Sequence, residues 1–95
     1  MTKSLWLTSG MRILYFAWLR TRVGSAEEDV TPPAGVRDVR GLLDWLKTRS
    51  PGHAEAFKDL SVVRVAVNQT YVQPDHPVTP ADEIAIFPPV TGGSS

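Results

Sequence analysis

The chain has no cysteine, which removes disulfides, thiolate metal sites and a cysteine nucleophile from consideration together. Any sulfur it handles must be carried on something other than a side-chain thiol. Histidine is scarce too: His53 and His76 each stand beside glycine or proline in a turn, and both read as surface or capping residues. Asp75-His76 forms a neighbour pair, but no serine sits in a nucleophile-elbow setting to use it. No spacing offers three or four convergent metal ligands, and no glycine-rich phosphate loop is present. Charge of one sign is lacking as well. Ten basic and ten acidic residues balance, so there is no electrostatic footprint for nucleic acid or an anionic membrane. No apolar run approaches a membrane span, and residues 1–10 lack the apolar block of a secretory signal, which places the chain in the cytoplasm.

What is present suits one domain. Ninety-five residues can bury a single modest core, and 42% hydrophobic against 21% charged residues argues against disorder. Residues 11–19, MRILYFAWL, are apolar almost throughout, as a central strand would be. Alternation puts Ile13, Tyr15 and Ala17 on one face and Leu14, Phe16 and Trp18 on the other. A helix can cover only one of these faces, and Trp18 is the first candidate for a residue left partly exposed. Val23-Gly24-Ser25 is a turn, and residues 27–31 form the return leg of a hairpin. Asp38 is a helix N-cap before Val39, Leu42, Leu43 and Leu46, whose spacing gives one apolar stripe. Ser50-Pro51-Gly52 ends that helix. Gly41 inside it costs about 1 kcal/mol relative to alanine, which a close approach of helix to sheet would explain. Residues 53–60 form a short helical turn with Ala54, Phe57 and Leu60 inward. Residues 62–67 form a strand with Val63, Val65 and Val67 on one face, Asn68-Gln69 turns it, and Tyr71-Val72 returns. Two further turns around Val78 lead to the last strand, 82–87. This order is that of an α+β fold with a helix on one face of a mixed sheet.

The C-terminal dozen organises the reading. After Ile84-Ala85-Ile86-Phe87, Pro88 and Pro89 fix φ and remove two donors, so neither helix nor central strand continues. Val90 and Thr91 keep the arm extended, and Gly92 and Gly93 strip its tip of side chains. No residue from position 84 onward carries a side-chain charge, which suits an arm desolvated on docking.

Phe87-Pro88-Pro89-Val90-Thr91-Gly92-Gly93, with Ala66-Val67-Asn68-Gln69, Asp75-His76-Pro77 and Asp82-Glu83, resembles the small, sulfur-carrying subunits of molybdopterin synthases. The resemblance covers about residues 11–93 and implies a ubiquitin-like β-grasp, with the first and last strands parallel at the centre of the sheet. Three parts follow from it: an extension at 1–10, expected to be poorly ordered, a β-grasp domain at 11–87, and an extended tail at 88–95. It also implies a mechanism. An E1-like adenylyltransferase would use ATP to adenylate the carboxyl of Gly93, and a sulfur donor would convert the adenylate to a thiocarboxylate. The large subunit of the synthase would then pass that sulfur to cyclic pyranopterin monophosphate. Gly92 and Gly93 would be the reactive end. Phe87, Pro88, Pro89, Val90 and Thr91 would guide insertion, with Trp18 and Arg20 at the partner surface; a solvated strand-end role is the alternative for Arg20. Catalysis would belong to the large subunit, in an assembly of two small and two large subunits, and this chain would bind no cofactor or metal itself.

Ser94 and Ser95 depart from the family's usual end at the second glycine, because they lock the Gly93 carboxyl in an amide. On this reading the chain carries sulfur only after they are removed. Three alternatives stay open: a sulfur carrier for thiamin or another thio-cofactor, a ubiquitin-like protein modifier, and a binding module without carrier chemistry.

Overall fold

The computed structural model describes residues 10–89. The expectations for the extension and for Val90, Thr91, Gly92 and Gly93 lie outside the described residues. Strand β1 (Met11–Tyr15) is followed by helix α1 (Trp18–Val23), strand β2 (Glu27–Val30), and helices α2 (Val39–Leu46) and α3 (Pro51–Ala56). A 3₁₀ turn (Leu60–Val62) then leads to β3 (Arg64–Val67), β4 (Thr70–Val72) and β5 (Glu83–Phe87). The sheet order is β2-β1-β5-β3-β4. The pair β1–β5 is parallel, with Ile13 beside Ile84 and Tyr15 beside Ile86, and the other pairs are antiparallel. This is the β-grasp arrangement.

One face of the sheet is sealed. Met11, Ile13, Tyr15, Ile84 and Ile86 join Leu19 of α1, Leu42 and Leu46 of α2 and Phe57 after α3 in a single core. The stripe predicted for α2 is the buried one, with Val39, Leu42, Leu43 and Leu46 inward. Asp38 caps it by accepting from the Gly41 N–H at 2.8 Å. Two more of its orphan donors are met from outside the helix: the N–H groups of Val39 and Arg40 donate to the carbonyls of His76 and Pro74.

Five expectations need correction. The first strand does not run to position 19. It stops at Tyr15, and Ala17, at φ 56° and ψ −137°, reverses the chain into α1 while the Phe16 carbonyl accepts from the Leu19 N–H. An unbroken apolar run cannot separate strand from buried helix by periodicity alone. Leu19, Val23 and Trp18 therefore reach the core from a helix; Trp18 is partly exposed as expected, and the more exposed large apolar residue of this stretch is Phe16, at 46%. Second, Ser50-Pro51-Gly52 opens a helix as well as following one: Ser50 caps α3, and Pro51 occupies its first turn, where a missing N–H costs nothing. Third, Ala54 points outward, and His53 and Ala56 take the buried positions. Fourth, α2 does not approach the sheet at Gly41. A Cβ there would meet the capping carboxylate of Asp38 at 3.2 Å, whereas the close approach is at Gly52, where a Cβ would stand 2.4 Å from the Arg22 carbonyl oxygen of α1. Fifth, Val62 belongs to the 3₁₀ turn, and β3 begins at Arg64.

Candidate functional site: the open sheet face and the root of the C-terminal arm

Because β1 and β5 are parallel and adjacent, both end at the same edge of the sheet. The Phe16 N–H donates to the Ile86 carbonyl at 3.1 Å, so Phe87, Pro88 and Pro89 leave the fold beside the reversal at Phe16 and Ala17. These three arm residues are each partly buried. Arg20 is exposed, one turn into α1. Trp18 at the head of the same helix is partly buried against the core, and the Arg22 guanidinium lies 5.2 Å from its ring centre. Trp18 and Arg20 thus stand on a short helix, not at the strand end that the sequence suggested.

The sheet face away from the helices is apolar along one row. Leu14, Ala85, Ala66 and Tyr71 lie opposite one another across β1, β5, β3 and β4. Tyr71, 74% exposed, sets its ring 5.2 Å from that of Phe87, which the register pairs with Arg64. Phe16 extends the patch past the end of β1. Charge borders it on the β2 side, where Arg12 pairs with Glu27 and Asp29. Large exposed aromatics on a folded domain mark an interaction surface. Sequence reasoning missed Phe16 and Tyr71. The signal for Phe16 was its alternation with Leu14 on the uncovered face. Tyr71 sits on an edge strand of three residues, too short for alternation to reveal.

The turn residues of the motif have structural work. Asn68 and Gln69 both adopt positive φ, 51° and 74°. The Asn68 side chain donates to Asp82 Oδ1 at 2.9 Å and accepts from the Glu83 N–H at 3.0 Å, and the Asn68 N–H donates to the Glu83 carbonyl at 2.8 Å. Asp82 also accepts from the Thr79 N–H. Together these bonds fix where β5 starts.

The other polar cluster lies on the sealed side. His53 is 4% exposed, so its expected surface position is corrected. Its Nε2 faces Glu28 Oε1 at 3.1 Å, and its Nδ1 faces Ser50 Oγ at 2.7 Å. A carboxylate can only accept, which assigns a proton to Nε2. Tyr15 Oη–H donates to the same Glu28 oxygen at 2.9 Å. Burial pushes the Tyr15 phenol up, and the Glu28 charge adds to this. For Glu28 burial acts upward, but the hydrogen bonds from His53 and Tyr15 and the charges of His53 and Arg49 outweigh it, and its pKa falls below the usual value. Ser50, His53 and Glu28 superficially form a triad. However, Ser50 Oγ also accepts the His53 backbone N–H as the cap of α3, so the group acts as a tie between β1, β2 and α3. Among the described residues no buried side-chain polar atom lacks a partner, no group of three or more His, Asp or Glu could hold a metal ion, and no helix is long and apolar enough to cross a membrane. Among the described residues no side chain at the open face is arranged as an acid, base or nucleophile. What the geometry offers is a docking face with a chain end emerging at its margin.

The family model described as the ThiS family matches residues 13–93. The molybdopterin synthase sulfur carrier subunit of Escherichia coli (strain K12) is 41% identical over 83 residues, covering 87% of this chain and 99% of that protein. The subunit of the same name from Homo sapiens is 32% identical, covering 87% and 93%. Among solved structures, a putative molybdopterin converting factor subunit 1 from Pyrococcus furiosus superposes with a TM-score of 0.69 at 35% identity, covering 84% of this chain and 97% of that one. SAMP1 from Haloferax volcanii gives 0.69 at 29% identity, covering 88% and 99%.

Proposed function

The chain belongs to the ThiS family, and from that premise we propose that it is the sulfur-carrying subunit of a molybdopterin synthase. The observation that carries this reading is the 41% identity to a protein of that name across nearly the whole of both chains. The fold supports it: a centrally placed β5 launches the arm at the margin of an apolar face.

The reacting group is the main-chain carboxyl of Gly93, free once Ser94 and Ser95 are removed. A carboxylate is a poor electrophile. An E1-like adenylyltransferase activates it with ATP, the carboxylate oxygen bonding to the α-phosphorus as pyrophosphate leaves. Hydrosulfide, or its equivalent from a sulfur donor, then attacks the acyl carbon and AMP departs, leaving the thiocarboxylate. Gly93 presents no side chain to hinder either attack. The large subunit holds the open face through Phe16, Tyr71 and Phe87 and receives the arm along Pro88 to Thr91. The chemistry on the pterin belongs to that subunit, and this chain is its sulfur-donating cosubstrate.

Copurification from the native cell tests the assignment. Recovery of the large subunit of the synthase is the expected result; recovery of a thiazole synthase in its place would move the chain to a thiamin pathway. The likeness to SAMP1 favours a second reading, a protein modifier using the same activation and ending in isopeptide bonds. Conjugates on lysines of cellular proteins would identify that role.

A further inference from the structure

We propose that Ala17 is a positioning residue whose strained backbone holds Phe16 outward beside the arm's root, as a preset anchor for the apolar surface of the large subunit. The inference rests on the docking role given to the open face. Phe16 to Leu19 form a tight turn closed by the Leu19 N–H on the Phe16 carbonyl at 3.2 Å, and the next N–H, of Arg20, donates to the Ala17 carbonyl at 3.1 Å. The second residue of this turn is Ala17, at φ 56° and ψ −137°. That is the region of a type II′ turn that glycine enters freely and alanine does not. Ala17 is exposed, so its methyl group adds nothing to the core. Glycine would keep both hydrogen bonds with less strain, and stability therefore does not explain the alanine.

What the Cβ does is remove conformations. With it, the backbone between Phe16 and Trp18 has few alternatives, so the Phe16 ring, 46% exposed, is ordered when the domain folds and not when the partner arrives. Its place matters because its own N–H is bonded to Ile86, one residue before Phe87. The backbone that carries this ring therefore stands at the arm's root, where a partner receiving the arm arrives. Strain confined to an exposed junction at a docking site, with no packing return, fits preorganisation.

The test compares wild type, Ala17→Gly, Ala17→Ser and Phe16→Ala in the full chain. Three readouts are used: backbone ¹⁵N order parameters at residues 16–18, the thermal midpoint, and the Kd for the purified large subunit of a molybdopterin synthase. For Ala17→Gly we expect lower order parameters, a midpoint equal to or above wild type, and affinity weaker by about two- to fivefold, the share of a binding-competent population lost when glycine frees the junction. Ala17→Ser keeps the Cβ and should match wild type in all three. Unchanged order parameters in Ala17→Gly overturn the proposal, and so does a lowered midpoint, since Ala17 would then serve stability. If Phe16→Ala weakens binding and Ala17→Gly does not, the docking face stands and the positioning role falls. If Phe16→Ala has no effect on Kd, the docking role fails, and the anchor fails with it.

Discussion

On the sealed face of the sheet Ile13, Tyr15, Ile84 and Ile86 are covered by helices, while on the opposite face Leu14, Ala85 and Phe87 stay partly exposed and Phe16 and Tyr71 largely so. Apart from Tyr71 on β4 and Phe16 just past β1, these residues alternate along the same two strands, β1 and β5, and composition does not separate them. Their difference comes from topology: among the described residues the helices pack on one side, so one apolar face is used up in folding and the other is left over. Stability should therefore be read from the first face and recognition from the second.

The largest expected effect tests the sealed face. Phe57 is fully buried, and Phe57→Ala should cost about 3–5 kcal/mol in urea unfolding, enough to threaten a domain of this size. A cost below about 1 kcal/mol would mean that the core is not where the helices place it. Next comes the polar tie. His53→Ala takes one hydrogen bond from each of Glu28 and Ser50 and should cost about 1–3 kcal/mol by the same measurement. A neutral result would show that β2 and α3 are held by packing alone.

A smaller effect has a pH signature. The Glu28 carboxyl titrates lower in the folded chain than in the unfolded one, so its contribution is fully present above the usual carboxylate range and is lost as pH falls through the folded value. The stability gap between wild type and Glu28→Gln should therefore be wide at about pH 7 and narrow as pH falls below the usual carboxylate range; a gap constant with pH would remove the ionised tie. The smallest effect on folding belongs to the open face. Tyr71→Ala should change stability by no more than about 0.5 kcal/mol, yet weaken binding of the large subunit by about five- to tenfold. Loss of stability without loss of binding would invert the comparison between the faces.

Much of the fold was legible because local chemistry and tertiary role agree. Asp38 with its apolar stripe, the positive φ at Asn68, the valines of β3 and the parallel central pair implied by the family resemblance are all found in the structure. The failures share a physical cause. Residues 11–19 carry one apolar run through two kinds of backbone, and the break at Ala17 uses a residue that gives no turn signal. His53 looked like a surface turn residue, because its partners Glu28 and Tyr15 lie 25 and 38 positions away in the chain, a juxtaposition that only the fold creates. At the candidate site Phe87, Pro88 and Pro89 were legible from the prolines, whereas Phe16 and Tyr71 become a patch only when β1, β5, β3 and β4 are laid side by side.

The most direct test is the intact mass of two forms of the chain, one ending at Gly93 and one at Ser95, after incubation with ATP, an E1-like adenylyltransferase and a sulfur donor. We expect the form ending at Gly93 to exchange one oxygen for sulfur and the form ending at Ser95 to remain unchanged. No exchange at Gly93, or equal exchange in both forms, would contradict the account.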